Sequence, residues 1–241
     1  MLWLFVPCIN DNNYTIYGED ARHISKSLRM RAGEQLTICT EDGIEHLCEI
    51  VSITGESVSV KVIASKLCEN EPNVKVTLYQ ALTKSDKMEV IIQKAVELGV
   101  YRIVPMLTAR CVSRPDEKSM LKKAERWNKI SKQAAMQSRR GIIPIVENVK
   151  SFAQAAEECK NYEASVIYYE LGGEHTGSII ASNCNGSIAI YIGSEGGFEQ
   201  DEVDLILQSG GRAGTLGNRI LRTETAPLAA LAIIMNITGN M

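Results

Sequence analysis

The sequence predicts an α/β chain in two parts, a small β-barrel followed by a larger domain built on a mostly parallel sheet. Three observations predict it. Up to about residue 65, short alternating apolar runs are separated by turn signals. From Val74 onward such runs alternate with segments of helical period, the pattern of a mostly parallel sheet covered by helices. Two glycine-bearing turns, Ile192 to Phe198 and Leu216 to Pro227, each leave an apolar strand and enter a helical pattern. Both turns then lie at one edge of a sheet, where open α/β sheets bind ligands.

In chain order, Leu2 to Val6, Glu34 to Thr40, Glu45 to Ile53 and Ser57 to Ile63 read as strands of an antiparallel barrel. Asp42-Gly43 between the second and third of them suits a type I′ hairpin turn. The polar run Glu69 to Asn73 is taken as the linker, giving a barrel over 1–68 and an α/β domain over 73–241. Strands are expected near 74–82, 101–107, 143–149, 164–170, 187–192 and 212–216. A helix near 86–98 starts on the capping-box spacing of Asp86 and Glu89 and buries Met88, Ile91, Ile92, Ala95 and Leu98. Another, near 117–139, carries Met120, Leu121, Ala124, Trp127, Ile130, Ala134 and Ala135 on one face and leaves its lysines outside. The last helix begins after Arg222, with Pro227 in its first turn.

Composition bounds the function classes. The 241 residues are 45% hydrophobic, enough for a sizeable core. The apolar start, Met1 to Pro7, is too short for a signal sequence, and Leu228 to Ile237 is too short to span a bilayer, so a cytoplasmic location is expected. Seven cysteines without a CxxC pair argue for free thiols, and three scattered histidines for no metal. Phosphate-binding GxxxxGK[ST], first-strand GxGxxG and GxSxG motifs are all absent.

The net charge of −3 hides a local asymmetry. Between Arg110 and Arg140 ten basic residues face three acids, and Arg22, His23, Lys26, Arg29 and Arg31 form a second run without any acid. Either run is a solvated face or a phosphate-binding one. Two of them in an acidic chain favour an anionic partner. The residues concerned are the barrel run and Lys122, Lys123, Lys129, Lys132, Arg139 and Arg140.

The glycines at 193, 196, 197 and 217 permit positive φ and let a backbone approach a ligand closely. The second turn adds Arg219, Arg222 and Glu224 near the ligand edge, where charges tend to be functional. These turns, IGSEGGF and LGNRILRTETAPL, together with Gln80 to Glu89, Gln93 to Gly99 and Gln133 to Ser138, resemble the signature motifs of the RsmE family of SPOUT methyltransferases. The resemblance runs in order through nearly the whole chain.

It implies a PUA-like amino-terminal barrel, a deep trefoil knot in the α/β domain, a homodimer, and transfer of a methyl group from S-adenosylmethionine to N3 of a uridine in 16S rRNA. The cofactor would then lie among Leu171, Gly172, Ile192, Gly193, Glu195, Gly196, Gly197, Leu216, Gly217, Ile220, Leu221 and Arg222. Arg222, or else Arg110, would stabilise charge on the uracil oxygens. Their alternative is phosphate contact or a pair with Glu224. No general base declares itself: Glu195 and Glu224 are the carboxylates of the two turns, Glu195 reads better as an acceptor of backbone N–H bonds, and Glu224 joins the two arginines as a catalytic candidate. Rival readings are ribose 2′-O-methylation on the same fold and an assembly factor without turnover. The chain departs from the family at Ser194 and Asn218, where proline is common, and at Trp3, where an arginine is usual.

Overall fold

A computed structural model describes residues 2–9, 11–181 and 184–241, and places them in two compact units. The first comprises Met1–Glu71 and Ala135–Ile142, the second Pro72–Ala134 and Ile143–Met241.

The first unit is a five-stranded sheet of β1 (Trp3–Val6), β2 (Asn13–Tyr17), β3 (Gln35–Thr40), β4 (Ile44–Ile53) and β5 (Ser57–Leu67), ordered β1-β3-β4-β5-β2. It is mixed and not, as expected, antiparallel throughout, because β1 pairs in parallel with β3, Leu4 opposite Ile38. Strand β2 is an addition to the expected set, and α1 (Gly18–Arg22) with a π-helical turn (His23–Ser27) follows it. Leu4, Ile24, Leu36, Ile38, Cys48, Ile50 and Val58 form the core. The β3–β4 turn is also different from the type I′ expected. Its N–H bond runs from Gly43 to the Thr40 carbonyl at 2.9 Å, and only Gly43 (φ 77°) is left-handed, the pattern of a type I turn followed by a left-handed residue.

Residues 135–142 return the chain to this unit. Arg140, expected on a solvent-facing phosphate-binding surface, is buried at 3% exposure. Its guanidinium donates to both Glu71 oxygens at 2.7 and 2.6 Å, and Glu71 also accepts the Gly141 N–H at 2.7 Å. Trp3 is buried as well, its indole N–H donating to the Arg140 carbonyl at 3.1 Å. A buried guanidinium paired in this way has no face left for RNA, so Arg140 leaves the candidate interface.

The second unit is an eight-stranded sheet whose named pairings are all parallel. Its strands are β6 (Lys75–Ala81), β7 (Arg102–Leu107), β8 (Ile145–Val146), β9 (Lys150–Ser151), β10 (Ala164–Tyr168), β11 (Glu174–His175), β12 (Ser187–Ile192) and β13 (Arg212–Thr215). The order is β11-β13-β10-β12-β6-β7-β8, with β9 also on β7. Of the strand expected near 143–149 only β8 forms, two residues long, and β9 lies just beyond that range. The intervening helices are α2 (Ser85–Glu97), α3 (Glu117–Gln137), α4 (Phe152–Glu157), α5 (Thr176–Ile179), α6 (Gln200–Gln208) and α7 (Ala226–Ile237).

Helix α2 buries Met88, Ile91, Ile92 and Ala95. Its N-cap is Lys84, without a side-chain cap bond, so the expected Asp86–Glu89 capping box does not form. Helix α3 buries Ala124, Trp127, Ala134 and Ala135, but Leu121 of the expected apolar face is half-exposed. At the sheet centre Tyr79 and Tyr191, directly opposite on β6 and β12, stack at 4.5 Å between ring centroids. This order sets β10 between β12 and β13, so the loops leaving all three strands emerge side by side at one edge.

Candidate active site

Those three loops enclose a cavity of about 560 Å³. Every residue the sequence assigned to cofactor binding lines it: Leu171 and Gly172 after β10; Ile192, Gly193, Glu195, Gly196 and Gly197 after β12; Leu216, Gly217, Ile220, Leu221 and Arg222 after β13. Ile192 is buried, whereas Leu171 and Ile220 are 78% and 83% exposed and form an apolar mouth.

Two glycines are needed for their backbone. Gly197 has φ 71° and stands against the Glu170 carboxylate, leaving no room for a Cβ; Gly217 has φ 98° with nothing within 4 Å of where a Cβ would stand. Gly193 and Gly196 do not take the positive φ expected of them. They are needed for space: a Cβ on Gly193 would come within 3.0 Å of the Gly197 backbone, and one on Gly196 within 3.0 Å of Arg110 Cβ. Ser194 is buried and donates to the Arg110 carbonyl at 3.2 Å, a bond a proline could not make.

The loops are tied together beneath the cavity. Thr223 Oγ1 donates to the Gly193 carbonyl at 2.7 Å, and Gln80 Nε2 reaches that carbonyl at 3.4 Å and Thr223 Oγ1 at 3.3 Å. Both side chains are buried, so these bonds are shielded from water.

Charge is distributed less simply than expected. Arg110 lies outside the cavity lining, where its guanidinium binds both Glu199 oxygens at 2.9 and 3.1 Å and the Gly196 carbonyl at 2.8 Å. That pairing holds Glu199 below the usual carboxylate range. Arg110 therefore braces the Gly196 loop and is withdrawn as a stabiliser of uracil. Arg222 lines the cavity, is exposed, and its guanidinium makes no hydrogen bond among the described residues; it acts on Glu224 through charge.

Glu195 accepts no backbone N–H of its turn among the described residues. Its carboxylate stands 3.4 Å from the Lys87 ammonium, which is also 3.1 Å from Glu224. Lys87, and not Arg222, is thus the ion-pair partner of Glu224. Lys87 also lines the cavity. It lies within the motif Gln80 to Glu89, but its role depends on two loops distant in sequence, and no local signal marks it. Tyr168, Tyr169, Glu170 and Arg219 also line the cavity.

The surface candidates divide. Arg22, His23, Lys26, Arg29 and Arg31 are all exposed in the first unit, with Arg29 at φ 53°. On α3, Lys122 and Lys129 are exposed and Lys123 and Lys132 half-buried, while Arg139 is exposed at φ 56°. Among the described residues no group of three or more His, Cys, Asp or Glu side chains is placed to hold a metal ion, and no helix is long and apolar enough to cross a membrane.

Known proteins share this sequence and fold. Residues 69–235 match the family model described as an RNA methyltransferase domain, and residues 16–63 match that of the RNA methyltransferase PUA domain. The chain is 40% identical to ribosomal RNA small subunit methyltransferase E of Bacillus subtilis over 227 residues, 92% of this chain and 89% of that one. It belongs to the RsmE family. Another RsmE relative, from Mesomycoplasma hyopneumoniae, is 32% identical over 96% of this chain and 97% of its own. Among solved structures, the RsmE protein of Neisseria gonorrhoeae bound to S-adenosyl methionine superposes with a TM-score of 0.88 at 29% identity, covering 98% of each chain.

Proposed function

We propose that this protein, an RNA methyltransferase of the RsmE family, methylates N3 of a uridine in the 16S rRNA of the small ribosomal subunit. The observation that carries the reading is the cavity bounded by the three loops after β10, β12 and β13 in a chain of that family.

The residues present fit S-adenosylmethionine. Ile192, Leu216 and Leu221 give apolar wall, and the backbone at Gly217 borders space that a side chain would fill. Bound there, the cofactor supplies an electrophilic methyl group on sulfonium. The protein's task is to hold acceptor and donor in line. Uracil N3 carries a weakly acidic proton that must leave before the nitrogen attacks. The guanidinium of Arg222, which makes no hydrogen bond among the described residues, is suited to stabilise the resulting charge on the carbonyl oxygens, lowering the N3 pKa so that solvent at the open mouth takes the proton. Glu195 and Glu224 are engaged with Lys87 and are poor candidates for the base.

RNA would be held by phosphate contacts from Arg22, His23, Lys26, Arg29 and Arg31 on the first unit and from the α3 lysines with Arg139 on the chain's other basic run. The reading also carries a homodimer, the family's knot, a main division of the chain near residues 68–73 with residues 135–142 returned to the first unit, and a cytoplasmic setting. Nuclease digestion and mass spectrometry of 16S rRNA from cells with and without the protein test it. Loss of 3-methyluridine is expected; loss of a ribose-methylated nucleoside instead would move the reaction to the 2′-oxygen, and unchanged RNA would overturn the activity.

A further inference from the structure

Lys87 occupies a position that the methyl-transfer reading leaves unused. It sits in the first turn of α2 and lines the cavity, with its ammonium between carboxylates of two different loops. Glu195 belongs to the loop after β12 and Glu224 to the loop after β13; their oxygens are 3.4 and 3.1 Å from Nζ. All three side chains are half-buried. The bond to Glu224, opposed by burial and reinforced by Glu195, raises the Lys87 pKa, so the group stays charged and cannot serve as a base. The same two loops are joined underneath by Thr223 and Gln80 at the Gly193 carbonyl. They are therefore tied at two levels, by neutral buried bonds below and by a shared cation at the cavity wall.

We infer that Lys87 is a positioning residue that fixes the spacing of the two cofactor loops through Glu195 and Glu224. The inference rests on the proposed cofactor site. Removing the ammonium would leave two carboxylates facing each other across the wall, and their repulsion would spread the loops. It would also make the wall more negative. These two effects differ in what they do to ligands. Loop spreading weakens any adenosine ligand alike, whereas negative charge favours the cationic S-adenosylmethionine over S-adenosylhomocysteine, which lacks the sulfonium.

The test compares both ligands by calorimetry on full-length Lys87→Met and Lys87→Arg chains, with single-turnover methylation and amide exchange of the ligand-free proteins. Lys87→Met is expected to weaken both ligands, S-adenosylhomocysteine by about tenfold and S-adenosylmethionine by somewhat less, since loop spreading acts on both and the added negative charge offsets part of the loss for the sulfonium alone. Its single-turnover rate should fall further, about 10²-fold, because misplaced reactants lose the in-line geometry. Lys87→Arg, able to bridge both carboxylates, should recover both quantities to within about threefold of the parent. Adding Glu195→Gln and Glu224→Gln to Lys87→Met should restore part of the affinity by removing the repulsion. Without ligand, exchange in Lys87→Met should quicken in residues 193–198 and 216–225 together. Unchanged exchange, no rescue by arginine, or opposite shifts for the two ligands would overturn the inference. If the parent protein binds neither ligand the cofactor site itself fails, while the exchange result still decides whether Lys87 sets the loops.

Discussion

At the scale of single residues, the two arginines near the site have separate tasks that their partners define. Arg110 has spent its donors on Glu199 and Gly196, whereas Arg222 keeps its guanidinium open to the cavity. Arg222→Ala should therefore lower methyl transfer by about 10² to 10³ while leaving S-adenosylmethionine affinity near the parent value, as judged by single-turnover rates against calorimetry. Equal losses would make it a cofactor clamp. Glu224 supplies a pH dependence. Its own backbone N–H holds the carboxyl below the usual range, burial opposes this, and Lys87 adds to it. A carboxyl depressed in the folded state stabilises fully above its unfolded pKa, about 4.3, and that contribution is lost as pH falls through the folded value. Amide exchange of the 216–225 loop should accordingly quicken on acidification below about pH 4. Glu224→Gln should lack that acid limb and show faster exchange already at neutral pH.

At the scale of elements, what could be read in advance was what local pattern controls. Strands β6, β7, β10, β12 and β13, the burial of α2 and the two glycine turns follow from periodicity and from turn residues. Strand β2 was missed because Asn13–Tyr17 is short and enters from a polar stretch. The parallel pairing of β1 with β3 was missed because strand direction is a tertiary choice. The Lys87 pairings were likewise out of reach, since they join elements far apart in sequence. Helix α3 shows the opposite limit: its charge run suggested one basic face, yet the chain just past it turns Arg140 inward. The remaining face makes a definite prediction. Replacing Lys122, Lys123 and Lys129 by glutamine should reduce the log–log salt slope of RNA binding by about 0.7 to 0.9 for each true phosphate contact, with cofactor affinity unchanged. A slope that does not move would assign RNA binding to the Arg22–Arg31 run alone.

At the scale of the whole molecule, the division into two units is not a division of the chain at one point. Arg140 and Gly141 belong with Glu71, and Trp3 bonds to the Arg140 carbonyl. A chain beginning at residue 72 would strand the Arg140 guanidinium without its carboxylate, and breaking a buried pair by removing one member typically destabilises by about 3–5 kcal/mol. Such a fragment should melt well below the intact protein, and Arg140→Met should recover part of the difference; a fragment as stable as the full chain would contradict this account of residues 135–142. The same return path sets a schedule for synthesis. The amino-terminal sheet cannot acquire its last partners when its own strands leave the ribosome, because the segment that closes over Trp3 and Glu71 has yet to be translated. At about 5–20 residues per second, the nascent sheet waits several seconds with these two side chains unmatched. During that interval it is open to chaperones, and its completion is coupled to translation of the helix that follows.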